Sequence, residues 1–250
     1  MEQSLGERMK RYESINKNRL IPNLPIIIRL DGKNFSKLTW NLDKPFDKLF
    51  AMCMNLTTSY LCHNIEGITL AYTQSDEITL VIPQINPRSE MWFGGNIQKI
   101  VSVSASMATA KFNQAFSEFF PQKKELAMFD SRVFQLPDYE VINCLIWRQQ
   151  DATRNSIQML GRNHFSHKDL MNKSTSEIQD MLMEKYEINW NDLDVHFKRG
   201  SMYHKIILPI LEEGRHYHRR VWIQAHNTPI FSQEKETTNQ IIFKEAQNNE

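Results

Sequence analysis

At 250 residues the chain is long enough to bury a full core, as one large domain or two small ones. Its 41% hydrophobic and 24% charged residues are those of a globular protein and exclude a disordered one. With 30 basic against 29 acidic residues the net charge is +1, so no overall polybasic character marks a nucleic-acid binder, and any RNA surface must be a local patch.

Cys53, Cys62 and Cys144 are odd in number and lack CxxC spacing, which argues against a disulfide framework and a cysteine zinc site. They read as core thiols of a reducing compartment. The N-terminal Met1–Arg8 has no apolar leader core, and the longest apolar runs, such as Ile206–Leu211, are too short for a bilayer. The expectation is a soluble, cytoplasmic protein with no membrane partner.

The first predicted element is the apolar run Pro25–Leu30, a buried strand stopped by Asp31 and Gly32. From Lys44 to His63, Phe46, Leu49, Phe50, Cys53, Leu56, Tyr60 and Leu61 recur at helical spacing. Residues 68–82 form two β-rich segments around the polar turn Gln74–Glu77. A second helix is predicted from about Asn96 to Phe119, and a fourth strand within Asp130–Leu136, before Pro137. Strand, helix, strand, strand, helix, strand is the split βαβ, ferredoxin-like order: an α+β fold with helices on one face of an antiparallel sheet. Polymerase and nucleotidyl-cyclase palms share this arrangement.

From about Asp138 the character changes, so residues 1–137 read as a palm-like domain and 138–250 as a helical and extended region packed on it. Helices are predicted through Ile142–Met159 and Ser174–Tyr186, with Ser174–Glu177 as a capping box. A short extended piece follows near Arg219–Gln224, and the polar stretch from Gln233 is expected to fray.

Asp31 and Asp76–Glu77 each stand where an apolar strand ends. If the hairpin lies beside the first strand, Asp31 and Asp76 converge, and two carboxylates with free oxygens suit Mg²⁺. The alternative is that both are ordinary turn residues at a solvated tip. No Walker, dinucleotide or HExxH motif is present. The histidines of His164–His167 and His216–His218 lack partners at zinc spacing. The run Trp147–Asn155, continued by Arg162–Lys168, could offer Arg, Asn and His to phosphates or a base, or could be a solvated helix. Arg215–Arg220 is a second basic cluster, open between RNA grip and solubilising surface.

Arg29–Phe35, Lys44–Asp47, Gln74–Glu77, Phe129–Val133 and Trp147–Asp151, in that order, resemble the tRNA-histidine guanylyltransferase superfamily, enzymes that add nucleotides to RNA in the 3′-to-5′ direction. The resemblance implies a palm in which Asp31, Asp76 and the main-chain carbonyl of Gly32 bind two Mg²⁺ ions and Glu77 supports them. It implies nucleotide contacts at Lys33, Asn34, Phe35, Lys44, Asp47 and Ser75, with ATP and GTP or other nucleoside triphosphates as substrates. Arg132, Arg148, Asn155, Arg162, Ser166, His167 and Lys168 would serve nucleotide or RNA 5′-end binding. It further implies tRNA as partner and a homo-oligomer, by family a tetramer. Eukaryotic members continue past the Trp-Arg-Gln-x-Asp run with a His-Ile-Asn-Asn-Leu-Tyr-Asn-Thr motif; here Thr153 replaces the histidine, which sets this chain with the guanylyltransferase-like 3′-to-5′ polymerases that repair tRNA 5′ ends. The leading expectation is therefore a Mg²⁺-dependent nucleotidyltransferase acting on tRNA 5′ ends through ATP activation. A palm-type nucleotidyl cyclase and a non-catalytic RNA-binding module are the alternatives.

Overall fold

A computed structural model describes residues 3–84, 90–212 and 215–247. Its centre is a six-stranded antiparallel sheet in the order β4-β1-β3-β2-β5-β6. The first four strands are β1 (Ile26–Gly32), β2 (Leu70–Gln74), β3 (Glu77–Ile82) and β4 (Phe129–Gln135). Their order is the ferredoxin-like one expected from the sequence.

β1 is apolar on both faces at Ile26, Ile27, Ile28 and Leu30, broken only by Arg29 before Asp31, because both faces of the sheet are covered. Ile26, Ile28 and Leu30 pack under α3 (Lys48–Asn64) and α4 (Ile97–Phe119), in a core with Met54, Leu61, Phe112 and Phe116. Ile27 faces the other way, with Leu70, Tyr72 and Val81, against Val141, Ile142 and Leu145 of α5. α3 starts at Lys48, later than its apolar spacing implied, because the Asp47 carboxylate accepts from Phe50 N–H at 2.8 Å and caps the helix there. Asn96 caps α4 in the same way.

Before the sheet stands α1 (Leu5–Ser14), and α2 (Phe35–Leu38) follows β1. α5 (Asp138–His164) is longer than its predicted span. Asp138 and Glu140 in its first turn and Arg162 and His164 in its last complement the helix dipole. α6 (His167–Leu170) and α7 (Thr175–Tyr186) follow, and Ser174 forms the expected capping box with Glu177. Ile178 and Leu182 of α7 pack on Ile157 and Leu160 as a small satellite core.

Two elements depart from expectation. Residues Ser201–Glu212 form β5, which pairs with β2 from Thr73↔Ser201 to Leu70↔His204, and β6 runs over Arg215–Gln224. A basic, Pro-interrupted stretch thus extends the sheet, because β5 and β6 satisfy each other's main-chain groups along their whole length. The stretch from Gln233, expected to fray, carries α9 (Lys235–Gln247), anchored by the fully buried Ile242 in the core beneath α5.

Between α7 and β5 lies α8 (Val195–Arg199), which leads into Gly200. Gly200 holds φ +77°, and a Cβ there would lie 2.5 Å from Thr73 O and 2.6 Å from the Tyr72 ring. Only glycine lets the chain pass this close to β2. Among the described residues, no helix is long and apolar enough to cross a membrane.

Candidate active site

The end of β1 and the β2–β3 turn meet at one edge of the sheet. Gly32 N–H donates to the Asp76 main-chain carbonyl at 3.1 Å, and Asp31 is the register partner of both Glu77 and Asp130. The turn is closed by Thr73 Oγ1, which donates to Glu77 O at 2.9 Å, with Ser75 in the left-handed region at φ 49°. The two acidic sites read from the sequence are therefore side by side, with Asp130 in the same cross-strand row.

Each carboxylate in the row has a different answer to its charge. Glu77 is 6% exposed and takes a two-pronged ion pair from Arg148, with Nε–Oε1 at 2.7 Å and Nη2–Oε2 at 2.8 Å. Arg148 also reaches Asp151 at 2.9 Å, and Asp151 pairs in turn with Arg154. Asp130 is half exposed and lies 3.4 Å from Arg132. Among the described residues, no cation pairs with Asp31 or Asp76. Burial, then the charge of Asp31, pushes Asp76 up to about 6, and its nearest side-chain donor is Ser75 Oγ at 3.1 Å. Asp31 is raised too, by burial and then by Asp130. Burial also raises Glu77, with Arg148 working against it.

Two neighbouring hard-oxygen carboxylates with no direct ion pair among the described residues, Asp31 feeling Arg132, Arg29 and Arg148 only at a distance, fit a divalent ion such as Mg²⁺, which takes one or two carboxylates and completes its shell with water and substrate phosphates. Among the described residues, no set of three His, Cys, Asp or Glu side chains is placed to hold a metal alone.

Asp76 opens onto a cleft of about 790 Å³, the size of a nucleotide site. Phe35, Lys44, Asp47, Ser75, Asn155 and Arg162 line it, as does Asp76 itself. Lys44 Nζ donates to Thr39 O at 2.9 Å, Asp47 is committed to the α3 cap, and Phe35 is wedged among Phe50, Phe112 and Phe129. A Cβ on Gly32 would meet that Phe35 ring at 2.5 Å, so the glycine sets how closely α2 follows the strand.

Lys33 and Asn34 are exposed at the turn into α2 and do not line the cleft. Nor do Asp31, Gly32, Glu77, Arg132 and Arg148. Arg148 and Arg29 flank the half-exposed Trp147 ring, at 4.5 and 5.5 Å from its centroid. Ser166, His167 and Lys168 stand exposed at the start of α6, where Ser166 Oγ is bound to Asp169 at 2.7 Å.

The cleft also contains residues that the sequence pattern did not single out. Phe46 stacks on Phe197 at 4.9 Å and 14°, and His196, Ser156, Met159 and Asn163 complete the walls. Phe46 and Phe197 are 151 positions apart, and no local signal joins them.

A ferredoxin-like sheet with two adjacent unpaired carboxylates, one of them lining a nucleotide-sized cleft, defines the class of palm nucleotidyltransferases. A family model described as tRNAHis guanylyltransferase, Thg1, matches residues 6–137. The chain belongs to that family and is a 3′-to-5′ nucleotidyltransferase. A bacterial tRNA(His) guanylyltransferase-like protein solved in complex with ATP is 44% identical, with a TM-score of 0.87, covering 96% of this chain and 99% of that one. One solved in complex with GTP is 41% identical, with a TM-score of 0.82, covering 96% and 100%. The tRNA(His) guanylyltransferase of Neurospora crassa is 29% identical over 219 residues, 81% of this chain and 73% of that one.

Proposed function

We propose that this chain is a Mg²⁺-dependent enzyme that adds nucleotides to the 5′ end of tRNA, as repair or guanylylation, after ATP has activated a 5′-monophosphate. The observation that carries the reading is the unpaired Asp31–Asp76 pair, whose Asp76 lines a nucleotide-sized cleft. The ATP- and GTP-bound relatives, which this chain matches over nearly its whole length, support nucleoside triphosphates as its substrates.

Asp31 and Asp76, with the Gly32 carbonyl, would hold two Mg²⁺ ions, which when bound supply charge neutralisation on phosphate and a more acidic attacking hydroxyl. Lys44 and Arg162 offer the cleft its cationic side chains for a triphosphate, and Asn155 and Ser75 offer hydrogen bonds. The apolar wall of Phe46, Phe197 and Met159 seats a base and excludes water.

In the first step a 5′-phosphate oxygen attacks the α-phosphorus of ATP and expels pyrophosphate, leaving an adenylylated end. In the second, the 3′-hydroxyl of an incoming nucleotide attacks the RNA 5′-phosphorus in line and expels AMP. The protein's part is positioning and charge neutralisation. Arg132 and the exposed Ser166–Lys168 stretch are assigned to the RNA, the working form to a homo-oligomer, and the compartment, from three buried free thiols, to the cytoplasm.

The test is extension of a tRNA lacking its first 5′ nucleotide, with Mg²⁺, ATP and each nucleoside triphosphate in turn. Addition only of the nucleotide that pairs with the opposite strand identifies templated repair. Guanosine addition regardless of template identifies a dedicated guanylyltransferase, and no addition with any triphosphate overturns the reading.

A further inference from the structure

His196 stands in the wall between the cleft and a second groove of about 550 Å³ on the other side of α3. Its Nδ1 lies 2.8 Å from Ser201 Oγ, and Ser201 is 2% exposed. Behind Ser201 a hydrogen-bond chain continues: Gln224 Nε2 donates to Ser201 Oγ at 2.9 Å, and Tyr203 Oη donates to Gln224 Oε1 at 3.0 Å. Ser201 Oγ thus already accepts from Gln224, and the acceptor within reach of its own buried proton is His196 Nδ1. A buried hydroxyl proton needs an acceptor, so Ser201 donates and Nδ1 is the bare nitrogen. That fixes the imidazole as the tautomer protonated on Nε2. Burial holds the ring neutral by lowering it to about 4, against the charge of Asp194. Among the described residues, nothing pairs with Nε2.

We infer that His196 is a base-reading residue of the cleft: its Nε2–H donates to a ring-nitrogen acceptor of a bound adenine nucleotide, and Ser201, with Gln224 and Tyr203 behind it, is the positioning residue that fixes the tautomer. The inference rests on the cleft being the nucleotide site. The wall suits the task because the adjacent Phe46–Phe197 stack gives the base an apolar surface, while His196 adds one directed donor at its edge. A neutral donor with a fixed proton discriminates acceptors from donors, as an imidazole free to exchange tautomers does not.

Two measurements on the full chain test this. In wild type, long-range ¹H–¹⁵N correlation of the His196 ring should show a protonated Nε2 and a bare Nδ1, and Ser201→Ala should lose that signature. A bare Nε2 in wild type means that the chain runs in the opposite sense and overturns the inference. Calorimetric titration should show ATP binding His196→Phe about five- to tenfold more weakly than wild type. One of 1-deaza-, 3-deaza- or 7-deaza-ATP, the analogue lacking the acceptor that is read, should bind both proteins alike. Equal ATP affinity of wild type and His196→Phe overturns the base-reading role. Failure of wild type to bind ATP at all overturns the nucleotide-site reading instead, so the two failures are distinguishable.

Discussion

Asp76 and Glu77 are neighbours in the chain, yet one lies at the open mouth of the cleft and the other beneath α5. Glu77 points into the sheet face that α5 covers, where Arg148 meets it with a fork of two short bonds. Asp76 sits at the head of the turn, shares its surroundings with Asp31, and has no cation. One carboxylate has its charge answered by the protein itself, and the other is left without a partner. A surplus of negative charge lowers the stability of the empty site and becomes useful only when a cation and phosphates arrive.

Substitution should separate the two regions by which property fails. Asp76→Ala or Asp31→Ala should cut nucleotide transfer by about 10²–10³-fold or more. The thermal midpoint of the metal-free protein should not fall, because a buried repulsion is removed. Transfer assays paired with calorimetry check this, and a mutant at wild-type rate would break the assignment. Glu77→Ala should behave in the reverse sense: leaving the buried Arg148 guanidinium with only its bond to Asp151 should cost about 3 kcal/mol of stability, read from urea unfolding. A Glu77→Ala protein as stable as wild type would place that pair with the functional acids.

Smaller effects sharpen the contrast. Lys44→Ala should raise the nucleotide KM by about tenfold with little loss of stability, since its one protein contact is an exposed hydrogen bond to Thr39 O. His196 titrates against the fold. Its folded value is lowered to about 4 while the unfolded ring stays near 6.5. The unfolded chain therefore binds the extra proton first, and this contribution to stability is complete above about 6.5 and is lost as pH falls toward 4. Unfolding midpoints across that window should drop in wild type and drop less in His196→Phe. Smallest of all, Arg132→Ala removes a half-exposed ion pair to Asp130 and should change stability by less than about 0.5 kcal/mol.

The palm was legible because its elements carry strong local periodicities. β1 is an apolar run broken only by Arg29 and stopped by Asp31, α3 and α4 repeat their apolar residues at helical spacing, and the hairpin announces itself by a polar turn between β-branched segments. β5 was hidden by Pro209, which interrupts its apolar run Ile206–Leu211, and α9 by a polar composition in which Ile242 is the fully buried anchor. In the site, Asp31 and Asp76 could be named from their places at strand ends. Arg148 could be named only as a cation on a helix; that it faces Glu77, 71 residues away, depends on which side of the sheet α5 covers.

The sequence by itself determined the order of strands and helices, the acids at the strand ends and the absence of the common phosphate-loop motifs, because each is a matter of spacing within a few residues. Tertiary structure alone decided which acid is neutralised and which stays open, that Phe197 stacks on Phe46, and that His196 has a serine at its back. The first two outcomes turn on pairings 71 and 151 positions apart, and the third, between residues five apart, on how the chain turns from α8 into β5. Only the packing of α5, α8 and β5 against the sheet brings those partners within hydrogen-bond or ring-contact distance.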